Sequence, residues 1–325
     1  MQFSVYQESH IGGRKLNQDR MGYSFTRDAL LLVLADGMGG HLHGEIAASV
    51  TLQTLSAMFQ QQALPYVKGP ERFLEDALHA AHREIHRYRN VHQLADTPRT
   101  TVVACLVQHN MATWAHCGDS RLYWLRGGQL LGRTRDHSHV ESLIDRGLVP
   151  PSARATHPDR NKLYNCLGAS TPPKVEVSRR ASLLPGDVVL LCSDGLWSML
   201  TDEELAQRLF AQTVVRAVPD MLQTALSRGG AASDNATALA IMWQGSSVAD
   251  SVPPLAGDAS TVISTETLPA DLLSTTIHGP QAGARPSSGK TAADAFDEAE
   301  IERAIAEIRG AIEKSSQILR KDNKE

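Results

Sequence analysis

Four aspartates in this sequence stand where apolar, β-prone runs end or begin. Asp36 follows Leu30 to Ala35 and opens Asp36-Gly37-Met38-Gly39-Gly40; Asp194-Gly195 follows Val188 to Cys192; Asp119 closes Met111 to Cys117; Asp234-Asn235 precedes Thr237 to Trp243. A strand end sets a carboxylate at the rim of a sheet, and the glycines after Asp36 let backbone approach a ligand closely. Alone, each is an ordinary turn, because Asp-Gly is a common exit from a strand. Four together supply the oxygen-rich surroundings that hard cations such as Mg²⁺ and Mn²⁺ prefer, with carboxylates, carbonyls and waters as ligands and no thiolate or imidazole required.

Other reactive side chains offer less. Cys105, Cys117, Cys166 and Cys192 form no C-x-x-C pair, and the residue six places after each is Met111, Tyr123, Pro172 or Ser198, not the arginine that thiolate attack on a phosphate ester requires. They read as small, reduced core residues. His79, His82 and His86 share one helical face but have no paired acid or sulfur, so they read as a solvated face.

The elements that position these residues are legible in outline. Strands are predicted over Phe3 to Ser9, Leu30 to Ala35, Thr101 to Gln108, Met111 to Cys117, Arg121 to Leu125, Asp187 to Cys192 and Thr237 to Trp243, with Gly127-Gly128 turning a hairpin. Helical periodicity covers Glu45 to Gln60, Arg72 to Arg89, Asp202 to Ala211 and Asp220 to Ser227; Thr201-Asp202-Glu203-Glu204 is a capping-box signature. Residues 1–245 form one expected domain. Residues 246–292 are rich in Ser, Thr, Pro and Ala and read as a disordered linker. In 293–325, Ile301, Ile305, Ile308, Ile312 and Leu319 mark an amphipathic helix suited to a partner or to self-association.

Composition narrows the classes. The 325 residues are 42% hydrophobic and carry a net charge of −4, which gives a real core but no basic field for nucleic acid or an anionic membrane. No apolar run approaches the roughly 20 residues that span a bilayer. The first residues lack a secretory signal pattern, and with the reduced cysteines this points to the cytoplasm.

An ordered series of short motifs then resembles the PPM (type 2C) family of metal-dependent protein serine/threonine phosphatases, bacterial type, over about residues 3 to 243. The series is Arg14 with Asn17-Gln18-Asp19, Asp36-Gly37-Met38-Gly39-Gly40, Thr100-Thr101, Gly118-Asp119-Ser120-Arg121, Asp136-His137-Ser138, His157-Pro158, Leu167-Gly168, Ser193-Asp194-Gly195-Leu196-Trp197 and Asp234-Asn235. Single elements are weakly specific; their order is highly so. The resemblance implies an α+β fold, a four-layer αββα sandwich of two antiparallel sheets with flanking helices. It implies two tightly held Mn²⁺ or Mg²⁺ ions and a third, weaker one. Asp36 would bridge the pair, Asp194 and Asp234 complete the first site, the Gly37 carbonyl and Asp19 through water serve the second, and Asp119 with Asp194 recruits the third. Arg14 would grip the substrate phosphate, whose ester is hydrolysed by a water activated between the cations. The segment from Asp136 to His157 resembles a mobile flap. Phosphoserine and phosphothreonine proteins, and a Ser/Thr kinase whose action is reversed, are the implied partners.

Three positions depart from the family pattern: Gln18 replaces glutamate, Met38 stands where animal relatives carry a histidine proposed as general acid, and Arg99 replaces glycine. A pseudophosphatase that binds phosphoproteins without turnover, and a scaffold acting through its C-terminal helix, remain as alternatives.

Overall fold

The computed structural model describes residues 1–38, 43–154, 156–245 and 261–264. The chain divides into two units, Met1–Gly279 and Pro280–Glu325, and all described residues belong to the first. In chain order, β1 (Gln2–His10), β2 (Asp19–Phe25) and β3 (Ala29–Asp36) precede the helices α1 (Gly44–Gln62) and α2 (Pro70–Val91). Then come β4 (Val102–Gln108), β5 (Met111–Cys117), β6 (Arg121–Arg126), β7 (Gln129–Arg133), α3 (His139–Asp145), β8 (Glu176–Val177), β9 (Ala181–Ser182) and β10 (Val188–Cys192). A single turn, α4 (Asp194–Trp197), leads to α5 (Asp202–Ala211), α6 (Val214–Gly229), β11 (Ala236–Gly245) and β12 (Thr261–Ser264).

One sheet runs β1-β11-β10-β6-β7, the other β12-β2-β3-β4-β5-β8 with β9 also on β5, and their strand pairs are antiparallel. The unbroken apolar runs arise because the inner strands are covered on both faces. In β3, Leu30, Leu32 and Leu34 enter the core between the sheets, while Ala29, Leu31 and Val33 join Leu52, Leu55 and Phe59 of α1 and Leu74 and Leu78 of α2. In β10, Val189 and Leu191 face the inter-sheet core, while Val188 and Leu190 pack with Leu205 and Leu209 of α5 and Met221 and Leu222 of α6. Three apolar layers separate four structural ones, the αββα sandwich. Each fully buried leucine contributes roughly 1.5–3 kcal/mol, so both faces of β3 matter.

Local signals work as read. Thr201 Oγ1 accepts from Glu204 N at 3.2 Å and the Glu204 carboxylate accepts from Thr201 N at 2.9 Å, closing the capping box of α5. Gly127 and Gly128, at φ +55° and +79°, turn β6 into β7. The four cysteines are buried and free.

Other expectations change. The last helix of the sandwich starts at Val214, six residues earlier than predicted, and holds Pro219 inside it. Its buried stripe of Val214, Ala217, Val218, Met221, Leu222 and Ala225 outweighs the lost backbone bond. β2 was not foreseen, and β7 only as the return strand that the Gly127-Gly128 hairpin implies. Within the expected linker, Thr261–Ser264 is a strand on β2, with Thr261 opposite Phe25 and Ser264 opposite Gly22, so that stretch is not irregular throughout. The rest of the linker, and the amphipathic helix at 293–325, lie outside the described residues. His82 and His86 are not a solvated face: His82 Nδ1 accepts from Gly168 N at 3.2 Å and His86 Nε2 donates to Ala169 O at 2.9 Å, so both brace that loop.

Candidate active site

Strand register brings two carboxylates face to face. Asp19 opens β2 directly opposite Asp36, the last residue of β3. Opposed side chains share a face with Cβ atoms roughly 4.5–5.5 Å apart, and like charges so placed destabilise the pair. The backbone beyond Asp36 is held firmly. Its carbonyl accepts from Thr101 N and Thr100 Oγ1, both at 2.8 Å, and Met38 N donates to Arg99 O at 3.0 Å. A Cβ on Gly37 would lie 2.4 Å from the Gly44 carbonyl, so only glycine admits the first turn of α1 here.

Asp194 is the first residue of α4, and its carbonyl accepts from Ser198 N at 3.0 Å. Asp119 leaves β5, and its carbonyl accepts from Trp197 Nε1 at 2.9 Å. Asp234, just before β11, accepts from Arg14 Nη2 at 2.6 Å. The neighbouring Asn235 holds the Arg14 loop, donating to Ile11 O at 2.8 Å and Leu16 O at 3.1 Å and accepting from Gln18 N at 2.8 Å.

Arg14, Asp36, Gly37, Asp119, Asp194 and Asp234 thus line one cavity of about 480 Å³, with Lys15, Met38 and Thr101 beside them and Asn161 and Leu163 forming a wall beyond α3. Asp19 lies behind it, 4% exposed, its Oδ2 accepting from Ser193 Oγ at 2.8 Å. Three residues were not singled out from the sequence: Glu45 accepts from Gln18 Nε2 at 3.1 Å, and Asn161 and Leu163 close the wall. Trp197, part of the motif series but given no role there, props the Asp119 backbone. Glu45 had a faint signal as an acid in the first turn of a helix following the glycine loop. Gly39 to His41 lie outside the described residues.

The electrostatics are those of a site short of positive charge. Desolvation pushes the Asp19 carboxyl up to about 6, and desolvation followed by the charge of Asp136 pushes Asp119 up to about 7. Asp36 and Asp194 keep some exposure to the cavity, yet both are held well above the usual carboxylate range. Desolvation is the largest cause; next come Asp19 for Asp36 and Asp119 for Asp194. Asp19 Oδ1 is buried with no hydrogen-bond partner. An all-oxygen donor set, an excess of negative charge and an orphaned carboxylate oxygen fit hard divalent cations.

His116, His137 and Glu176 form the one trio among the described residues whose ligand atoms all lie within 4.8 Å of one another; the aspartates are spread more widely, as suits ions that keep several waters. The histidine trio is ill-suited to a metal. His137 Nδ1 accepts from Gly118 N at 3.2 Å and from Asn165 Nδ2 at 2.7 Å, and the Asn165 amide is oriented by both backbone groups of Lys174. Nε2 therefore carries the proton and faces Glu176 at 3.4 Å.

Residues 6–229 match the family described as Protein phosphatase 2C. The chain belongs to this family, whose members are metal-dependent protein serine/threonine phosphatases. It is 32% identical over 234 residues to the serine/threonine phosphatase stp of Listeria monocytogenes serotype 4b (strain F2365), covering 70% of this chain and 90% of that one. It is 32% identical over 209 residues to the serine/threonine protein phosphatase PstP of Mycobacterium tuberculosis (strain CDC 1551 / Oshkosh), covering 64% of this chain but only 39% of PstP. Among solved structures it resembles the catalytic domain of PstP in complex with two manganese ions, with a TM-score of 0.63 and 29% identity over 74% of this chain and 97% of that one. The type 2C fold explains why one end of the sandwich carries the acids. Among the described residues, no helix is long and apolar enough to cross a membrane.

Proposed function

We propose that this chain hydrolyses phosphoserine and phosphothreonine in proteins, using two divalent cations, Mn²⁺ or Mg²⁺, held by Asp36, the Gly37 carbonyl, Asp194 and Asp234, with Asp19 supporting the second cation from behind. The observation that carries this is the convergence of acidic side chains on one cavity with too little positive charge to neutralise them, beside an arginine at its mouth. Bound there, the cations supply charge against the phosphoryl oxygens and lower the pKa of an attacking water.

The protein's own groups do the rest. Arg14 is half exposed and held on Asp234, which leaves the rest of its guanidinium fork for phosphate oxygens. Asn235 and Ser233, the latter accepting from Gly13 N at 2.9 Å, fix the loop that carries Arg14. Thr100 and Thr101 hold the Asp36 backbone, and Ser193 holds the Asp19 carboxylate. Met38 lines the cavity with no proton to give, so the proton for the leaving seryl or threonyl oxygen comes from water or another group. Asp119 with Asp194 would draw a third, weaker cation. The bacterial relatives are named serine/threonine phosphatases, which supports a role opposite a Ser/Thr kinase; four buried thiols suit the reducing cytoplasm.

The test is manganese-dependent release of phosphate from p-nitrophenyl phosphate and from a phosphothreonine peptide. Release from both, abolished by chelator, is expected. Binding of the peptide with no release at saturating Mn²⁺ would instead identify a phosphoprotein-binding module.

A further inference from the structure

We propose that Arg121 is a positioning residue for this site, tying the Asp119 loop, the Asp194 turn and the root of the 138–163 segment to one buried guanidinium; the proposal rests on the phosphatase reading above. The side chains of Arg121 and Asp136 are 3% and 2% exposed. Burying a charge costs several kcal/mol unless it is paired with good geometry. Here the pairing is bidentate, with Nε to Oδ1 at 2.8 Å and Nη2 to Oδ2 at 2.7 Å, while Nη1 donates to Tyr123 OH at 3.1 Å.

The same guanidinium lies 3.6 Å from the centre of the Trp197 ring. That indole ends the turn that Asp194 begins, and its Nε1 holds the Asp119 carbonyl. One planar group therefore touches the flap root directly and reaches two acidic residues of the cavity through a single aromatic ring. Asp119 is fastened from its other side too, since His137 N donates to Gly118 O at 2.9 Å and Gly118 N donates to His137 Nδ1. Residues 118 and 121 are thus locked to residues 137 and 136.

Beyond this root, Ser138 pairs with Leu163, His139 N donates to Lys162 O at 2.8 Å, and Tyr164 N donates to His137 O at 3.1 Å. Asn161 and Leu163 form the cavity wall, so the orientation of Asp136 and His137 sets where that wall stands. Asn161 and Leu163 line the same cavity as the acids, and a peptide substrate, which extends past its phosphate, offers that wall more surface than p-nitrophenyl phosphate does. Lysine at 121 would keep the charge but lose the fork and the flat face that lies on Trp197.

The experiment uses the full chain carrying Arg121→Lys and, separately, Trp197→Phe, which keeps an aromatic ring under the guanidinium while removing the N–H together with the five-membered ring that carries it. In chelator, tryptic cleavage at Arg146, Arg154, Arg160 and Lys162 should speed up about tenfold in Arg121→Lys as the root loosens, and stay at the wild-type rate in Trp197→Phe. With Mn²⁺, KM for a phosphothreonine peptide should rise about fivefold in Arg121→Lys, against less than about twofold for p-nitrophenyl phosphate. Calorimetric titration should show the weakest Mn²⁺ step of Trp197→Phe weakened about threefold.

Arg121→Lys with wild-type tryptic kinetics and wild-type KM for the peptide would overturn the proposal. So would Trp197→Phe with unchanged Mn²⁺ affinity, which decides the matter even where Arg121→Lys fails to fold. If the wild-type chain releases no phosphate from either substrate, the phosphatase reading falls, while tryptic and calorimetric comparisons still judge the role of Arg121.

Discussion

Asp119→Asn should make the chelator-treated protein more stable at neutral pH. Asp119 is 6% exposed, and burial together with the charge of Asp136 lifts its carboxyl from 3.8 to about 7, against the opposing pull of Arg121. A folded-state pKa above the unfolded value means that the native chain keeps a proton the unfolded chain has released. The group's stabilising contribution is therefore complete below about pH 4 and is lost as pH rises through about 7. A rise of this size corresponds to about 4 kcal/mol once the carboxylate is ionised in the fold. Asparagine has no proton to lose, so the difference between the two proteins isolates the carboxylate. It also cancels His82 and His137, which burial pushes down to about 4 and whose contributions run in the opposite direction, growing as pH rises to their unfolded value.

The assay is urea unfolding followed by tryptophan fluorescence, in EDTA, at pH 5, 6, 7 and 8. The variant should be more stable by about 1–2 kcal/mol at pH 5 and roughly 2–4 kcal/mol at pH 8. Saturating Mn²⁺ should erase or reverse the gap at pH 8, because a ligand that binds only the native state stabilises the protein that holds it better. Parallel stability curves for the two proteins in EDTA would refute the claim that Asp119 is a desolvated, undercompensated carboxylate.

Asp36→Asn and Asp194→Asn should each lower turnover of p-nitrophenyl phosphate more than about 100-fold at saturating Mn²⁺ with an unchanged far-UV spectrum, and near-normal rates in either would sink its assignment as a cation ligand. Arg14→Ala should chiefly raise KM with a smaller fall in kcat, since a guanidinium on the phosphate acts in ground and transition states alike; an unchanged KM would show that Arg14 serves only Asp234. Ending the chain after Gly245 removes the four-residue strand on β2 but none of the cavity residues. Turnover should stay within about twofold while the thermal midpoint drops by at most about 5 °C. Lost turnover would place the tail inside the catalytic fold.

What the sequence made legible follows from burial. Leu30 to Ala35 and Val188 to Cys192 could be read as strands because both of their faces meet apolar layers, leaving no polar residue to blur the run. β2 was hidden by the same logic. Only Met21, Tyr23 and Phe25 alternate inward, with Arg20, Gly22 and Ser24 between them, so the strand that presents Asp19 gave no signal above its surroundings. Asp19 was reached by family resemblance alone. Pro219 concealed the first turns of α6 because a proline in a helix interior costs a backbone bond, and only tertiary packing shows that the cost is met.

The convergence of the acids, by contrast, follows from strand direction. In an antiparallel sheet the end of one strand and the start of its neighbour lie on the same edge. Asp19 begins β2 and Asp36 ends β3, while Val102 at the start of β4 pairs with Cys117 at the end of β5, just before Asp119. In the other sheet, Cys192 at the end of β10 pairs with both Arg121 and Ala238, and His10 at the end of β1 pairs with Ala236. Asp194, Asp234 and the Arg14 loop therefore share one edge of that sheet. The aspartates singled out at strand ends were thus bound to gather, given only that their strands alternate in direction. Sequence could not supply the stacking of the two edges at one end of the sandwich, which depends on how the inter-sheet core packs. That stacking puts carboxylates from both sheets where their charges raise one another's pKa, a conflict the fold tolerates at this edge because cations resolve it.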